Sequence, residues 1–419
     1  MADRAESAFE NGSAAMTGPL AGIRVLDWTI WQQGPAAGAM LGDLGAEVIK
    51  IEERGAGDPG RGMQSVSGLD VTGIENAYFE VHNRNKKSIA VDLKAAEGVA
   101  LVHRLVEKSD VFLHNFRPGV PERLGLDYDT LSSVRPGLIY AAASAFGAHG
   151  PERTARAYDL LGLARSGIMS AAGSAETGEP GVPKGGIADQ MGAIGLAYGV
   201  LAALVARERL GVGQLVETSL LGSMMWLQAL SVQMQLVTGA AAMSGNRRQP
   251  ANPLWNHYRC ADDKWLALAM PQSDRYWADV VALLGRPGLA CDPRFEDQVS
   301  RREHSAECVE LLDELFSQAS RDHWLERLGS LPDLPISPVN TLAEVVADPQ
   351  AAANGYVIEY DHPVRGACRT AGFPLSLSQT PLEVRERAPE FGEHTEAILL
   401  ELLELDWGDI ARLKDAQVI

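Results

Sequence analysis

The sequence predicts an α/β protein of two domains, a larger one organised on a parallel sheet and a smaller α+β one. Three observations carry this. The 419 residues exceed what one hydrophobic core usually serves. Strand-like and helix-like apolar runs alternate through the first part of the chain, and after Thr238 a small, polar and basic stretch breaks the pattern.

Residues 1–17 (MADRAESAFENGSAAMT) carry early acids and no apolar core, so they are expected to form a disordered tail rather than a signal peptide. The large domain is expected to start at 18 and run to 238. Residues 22–29 (GIRVLDWT) form a β-rich apolar run, 35–44 have helix-like spacing, and 47–52 form a second strand. That is the βαβ signature of a parallel sheet with right-handed crossovers. The unit repeats as strand 88–93, helix 95–108 and strand 110–115, followed by strand 138–144. In such sheets ligands bind at the loops after strand ends.

Gln32-Gln33-Gly34-Pro35 lies between the first strand and its helix, with proline suited to a helix's first position. It is neither GxGxxG nor GxxxxGK, which removes the usual support for nicotinamide or nucleoside triphosphate. Residues 83–87 (NRNKK) are the densest basic run and read as solvated surface. Asn115-Phe116-Arg117-Pro118-Gly119 closes a strand with polar, aromatic and basic residues together, a place suited to adenine and phosphates.

Residues 189–209 are small or apolar, but the core of the run, 191–206, falls short of the roughly twenty residues a bilayer needs, so it reads as a buried helix. A strand ends at 219, and 220–237 reads as one long helix whose Met224, Met225, Trp226 and Met234 belong to the core. A linker at 239–253 leads to a small α+β domain at 254–339, with a strand at 264–270 and helices at 274–284, 303–319 and 322–328. Residues 340–419 return to the large domain, because a helix at 342–347, strands at 356–360 and 371–375 and an amphipathic helix at 394–405 cannot make a domain alone.

A net charge of −18 argues against nucleic acid and against an anionic membrane as partners. Cys260, Cys291, Cys308 and Cys368 have no CxxC spacing and no zinc-site intervals, so they read as free thiols of a cytoplasmic protein without a metal.

The stretch 150–173 holds the candidate chemistry: a Gly-Pro turn, an arginine-flanked loop, then Tyr158-Asp159 opening an apolar run. Asp159 reads either as a helix cap or as a reactive carboxylate. In the second reading Arg153, Arg156 and Arg165 keep it ionised, and the flanking glycines let backbone donors approach a reacting carbonyl.

A series of landmarks runs through the chain in order: PLAGIRVLDWT, QQGPAAGAMLGDLGAEVIKIE with GDPGRG, NRNKKSIAVDLK, DVFLHNFRPG, RLGLDYD, GAHGP before AYD, SGIM, ALVARERLGVGQLVETSL, ADPQA and GEHTEAIL. With these the chain resembles the family III CoA-transferases, whose relatives include the α-methylacyl-CoA racemases. The resemblance implies a Rossmann-like large domain built from both chain ends, and an interlocked homodimer served by long connections at 239–253 and 334–353. It implies coenzyme A as cosubstrate, an acyl-CoA and a carboxylic acid as reaction partners, and no permanently bound cofactor. By the same resemblance Asp159 of AYD matches the aspartyl nucleophile and Gln32 sits at the thioester. Lys94, Asn115, Phe116 and Arg123 hold the CoA nucleotide and its phosphates.

Glu53 stands where related transferases carry a basic residue. Residues 246–258 (NRRQPANPLWNHY) lack the glycine-rich loop of formyl-CoA transferases, so an acyl group bulkier than formyl or oxalate is expected, and Trp31, Met63, Met169 and Trp255 near the site loops hint the same. The implied reaction passes through an acyl-aspartyl anhydride and an aspartyl-CoA thioester, exchanges of similar energy that require no ATP or metal. A racemase would need a His before the Asp. Tyr158 occupies that position, and a tyrosine of pKa about 10 is a poor base near neutrality, although Asp189 matches the racemases' second acid. A third alternative, a non-catalytic subunit of a two-component transferase, is disfavoured by the presence of Asp159.

Overall fold

The computed structural model describes residues 18–419 except 67, 72–75, 175, 240–245 and 364–365. The expected tail at 1–17 and residues 240–245 of the expected linker lie outside the described residues. The chain forms two units. Unit 1 holds the chain up to Ser170, the stretch opening at Gly181, and Ile358–Ile419; unit 2 holds Ala171–Pro180 and the stretch closing at Val357.

Unit 1 is built on strands β1 (Arg24–Trp28), β2 (Glu47–Glu53), β5 (Lys86–Val91), β6 (Val111–His114), β7 (Ile139–Ser144) and β8 (Gln214–Ser219); a small hairpin, β3 (Ser65–Val66) and β4 (Leu69–Asp70), interrupts them. The six form one parallel sheet in the order β5-β2-β1-β6-β7-β8. The chain winds outward from β1 in one direction and from β6 in the other, so the loops after β1 and β6 flank the switch point where such sheets bind ligands. Val25, Leu26, Ile49, Val111, Phe112 and Leu113 are all fully buried. Strands this uniformly apolar need cover on both faces. One face carries Val102, Leu105, Ile398, Leu399 and Leu413, and the other carries Ala37, Leu41, Leu196 and Val200.

The run read as a buried helix is Ile187–Leu210, long and apolar enough to cross a membrane by length and composition. It is buried on one face only, through Gly192, Ala193, Leu196, Val200 and Ala203, while Ile194, Tyr198 and Val205 are exposed. Glycine makes the contact close: a Cβ at Gly199 would lie 2.6 Å from Val216 Cγ1.

Several expectations are corrected. The 83–87 run is not a solvated surface: Arg84, Asn85 and Lys86 are buried. Burial of these cations is tolerable because Lys86 Nζ lies 2.7 Å from Asp27 Oδ2, and Arg84 pairs with Asp43 at 2.7 Å. Residues 220–237 form two helices, Leu220–Leu227 and Ala229–Thr238, meeting at Gln228, whose amide donates to the carbonyls of Ser166 and Met224. Only Met224 of the apolar stripe is core; Met225, Met234 and Trp226, the last 74% exposed, face outward. Residues 303–319 divide at His304 into Gln298–Glu303 and Ser305–Phe316. The strand expected at 371–375 lies earlier, at Gly366–Ala371. Short helices at Ala77–Asn83, Tyr128–Val134 and Trp407–Asp415 were not expected. Each is started by a side-chain cap, from Asn76, Asp127 and Asp406, that accepts a first-turn N–H.

Unit 2 has an antiparallel sheet of β9 (Trp255–Arg259), β10 (Trp265–Ala269) and β11 (Ile336–Val339), with β10 central. Tyr258, Trp277, Leu312, Phe316 and Trp324 fill its core. Arg247, in the expected linker, pairs with Asp313 at 2.6 Å. Between 334 and 353 the chain is structured, holding β11 and the helices Leu342–Val345 and Pro349–Ala353. β12 (Val357–His362) and β13 (Gly366–Ala371) make a further two-stranded sheet.

Candidate active site

Two helix starts meet at Asp159. It opens the helix Asp159–Ser166, yet no side chain caps that helix. Instead Asp159 Oδ1 accepts the backbone N–H groups of Ala188 (2.7 Å) and Asp189 (3.2 Å), the free donors in the first turn of Ile187–Leu210. Gly186 turns the chain into this helix with φ +65°. Asp159 is therefore a cap, but of a neighbouring helix. Burial, and then the negative charge of Asp159, push the carboxyl of Asp189 up to about 7.

Of the arginines expected to hold Asp159 ionised, Arg165 is engaged elsewhere, while Arg153 and Arg156 stand in the cavity wall with Tyr158 and Asp189. Arg165 bonds to Glu152 and lies over the Phe146 ring at 4.6 Å. Arg153 and Arg156 are exposed and line a cavity. Two backbone N–H dipoles face Oδ1 of the Asp159 carboxylate.

The loop after β1 is fixed from beneath. Buried Lys50 donates to the Thr29 carbonyl (2.8 Å) and pairs with Asp58 (2.8 Å). Asp58 Oδ1 accepts from Trp31 N (3.1 Å) and Gly60 N (2.8 Å). Trp31 is held at φ +66°, a left-handed conformation that costs a bulky residue of order 1–3 kcal/mol and clusters at functional sites. From the end of β6, Asn115 grips Ile30 by both backbone groups, accepting from its N–H (2.9 Å) and donating to its carbonyl (2.7 Å). A cavity of about 340 Å³ opens between these loops, with Trp31, Gln33, Asn115, Phe116, Tyr158 and Asp189 in its wall. A second, of about 220 Å³, shares Ile30 and Phe116. Phe116 packs on Trp28 with ring centroids 4.1 Å apart, and Tyr158 meets Trp31 edge-on at 6.0 Å.

Of the residues singled out in the sequence, Asn115 and Phe116 line the cavity, and Asp159 stands one hydrogen bond behind it. Gln32 is buried, its Nε2 directed at the Gly186 carbonyl at 3.3 Å. Lys94 is 82% exposed, with Nζ 3.9 Å from Glu53. Arg123 is exposed on the short helix Val120–Leu124. Neither lines either cavity. The sequence reading passed over Gln33 and Tyr78. Gln33 has no signal beyond standing next to Gln32. Tyr78 is largely buried, and burial together with the charges of Asp189, Asp58 and Asp159 pushes its phenol up, which keeps it a proton donor. Among the described residues no cluster of His, Cys, Asp and Glu could hold a metal ion.

The family model for CoA-transferase family III matches residues 20–395. The chain belongs to the family III CoA-transferases. It is 34% identical to the succinyl-CoA–D-citramalate CoA-transferase of Chloroflexus aurantiacus, over 96% of this chain and 98% of that one. It is 33% identical to the mouse succinyl-CoA:glutarate CoA-transferase, over 96% and 90% respectively. Among solved structures it resembles a CAIB/BAIF family protein from Brucella suis, with a TM-score of 0.82 and 32% identity over 92% of this chain and all of that one. As a family III CoA-transferase, the chain takes CoA thioesters as substrates, which gives the cavity at the switch point its context.

Proposed function

We propose that this transferase moves CoA from an acyl-CoA to a free carboxylic acid through covalent intermediates on Asp189, with Asp159 as the group that positions it. One observation carries the choice: Asp159 Oδ1 is occupied by two backbone N–H groups, whereas Asp189 lines the cavity. A carboxylate whose pKa is raised to about 7 is more basic and a stronger nucleophile than an ordinary one, and is about half ionised at neutral pH. Asp189 attacks the thioester carbonyl and expels CoA thiolate, leaving a mixed anhydride. The thiolate then attacks the aspartyl carbonyl and releases the first acid. The second acid attacks the resulting aspartyl-CoA thioester, and returning thiolate carries the new acyl group away.

Phe116, in the wall of both cavities, suits the adenine end of CoA, and Lys94 and Arg123 its phosphates. The exposed Tyr198, Trp226, Leu230 and Leu236 support a homodimer that covers them, in the cytoplasm. Sedimentation showing a stable folded monomer would refute the dimer.

The test is to incubate the protein with a panel of CoA thioesters led by succinyl-CoA, trap with hydroxylamine, and map the modified peptide. Modification of Asp189 is expected. Modification at Tyr158-Asp159 would return the nucleophile to Asp159, and solvent deuterium entering the α-carbon without any adduct would overturn the transferase mechanism in favour of racemase chemistry.

A further inference from the structure

The adjacent glutamines 32 and 33 have opposite fates. Gln32 Nε2 is directed at the Gly186 carbonyl, whereas the Nε2 of Gln33 is buried without a hydrogen-bond partner. Gln33 is only 6% exposed. A buried donor left unpaired costs about 1–3 kcal/mol, and such groups are rare enough in folded proteins to call for an explanation, a catalytic role among them.

The surroundings say where that acceptor sits. Gln33 and Asp189 line the same cavity. Gln33 Nε2 lies so close to Gly192 that a Cβ there would be 2.5 Å from it. Gly192 is three residues beyond Asp189 on one helix, so the two positions share the helix face against which Gln33 packs, and the side chains of Gln33 and Asp189 line one cavity. Gln33 itself is held by the start of the helix Gln33–Asp43.

We propose that Gln33 is a catalytic residue of this transferase, donating its amide N–H to the carbonyl oxygen of the acyl group that Asp189 attacks; this rests on the assignment of Asp189 above. In that step an Asp189 oxygen bonds to the carbonyl carbon, and the C=O π pair moves onto the oxygen that Gln33 faces. As that pair returns, the C–S bond breaks and its electrons leave with sulfur as CoA thiolate, with no proton transferred. Gln33 matches the accumulating negative charge and finds its missing partner only when substrate is bound.

The experiment follows trapped acyl-enzyme over time with succinyl-CoA and hydroxylamine, in the unaltered protein and in Gln33→Met. Loss of one oxyanion donor predicts acylation slowed on the order of 10²–10³-fold. CoA affinity, measured calorimetrically, should change less than twofold, and the Tm should hold or rise because an unpaired buried donor has been removed. A purely structural role would instead lower Tm and leave the rate per folded molecule alone. Gln33→Glu, of the same shape but without the N–H, is expected to slow acylation at least as far and stands in if the Met variant does not fold. Trapping at the unaltered rate in either variant overturns the role of Gln33 alone. No adduct on Asp189 in the unaltered protein, across the thioester panel, overturns the assignment it rests on and this role with it.

Discussion

Replacing Asp159 with Asn tests the coupling between the two acids. Asn keeps a side-chain oxygen to accept from Ala188 and Asp189 N–H, and removes the charge. In the unaltered protein the Asp189 carboxyl rises from 3.8 to about 7, equivalent to ~4 kcal/mol against its ionised form at ~1.36 kcal/mol per pH unit. The sign follows from proton counting. Between about pH 4 and 7 folded Asp189 keeps a proton that the unfolded chain has lost, so this group's contribution to stability is intact below pH 4 and is lost as pH rises to 7. Burial is the larger cause and survives the substitution; the Asp159 charge is the smaller and does not. Asp159→Asn should therefore move the Asp189 midpoint down by on the order of one pH unit while leaving it above the ordinary carboxylate range. The assay is the initial rate of hydroxylamine-trapped acylation across pH, paired with the pH dependence of Tm. The unaltered protein should show a rate rising to a plateau past pH 7 and a Tm falling from pH 4 to 7. In the variant the rate midpoint should shift to lower pH and the fall in Tm should shrink. Coincident midpoints would refute the coupling and the assignment of Asp189 with it.

Lys86→Met should lower stability by ~3–5 kcal/mol in urea titration, because Asp27, with which Lys86 pairs at 2.7 Å, stays buried and loses its counter-ion; the double change with Asp27→Asn should recover much of the loss. Arg123→Ala should raise KM for the acyl-CoA severalfold with kcat within twofold, since an exposed contact to a remote phosphate is equal in ground and transition states; a change in kcat alone would remove Arg123 from CoA binding.

The parallel strands were legible because a strand buried on both faces reads as an uninterrupted apolar run, as in Val25-Leu26 and Val111-Phe112-Leu113. What escaped notice depends on partners far away in sequence. The basic run at 83–87 looks solvated until Asp27 and Asp43 are seen to neutralise it. The break at Gln228 lies within an unbroken apolar pattern and shows only through its hydrogen bonds. At the site, Asp159 carries every local sign of capping its own helix and caps another. Asp189, thirty residues on, owes its raised pKa to burial and to a neighbouring charge, neither of which is written in adjacent residues. Gln33 differs from Gln32 only in what surrounds it.

The closure of the first unit's core has a consequence for biosynthesis. Leu26, Ile49 and Ile89 share that core with Ile398, Leu399 and Leu413, and the backbone N–H groups of Ala90 and Asp92 are taken up by Thr395 Oγ1 and the Val418 carbonyl. These strands are made on the ribosome long before their cover. At ~5–20 residues per second, the interval between Leu26 and Ile398 lasts roughly 20–75 seconds. Throughout it one face of the nascent sheet lacks its lid, so this protein should engage holding chaperones during translation and acquire protease resistance only once Ile398 to Leu413 have emerged, rather than unit by unit.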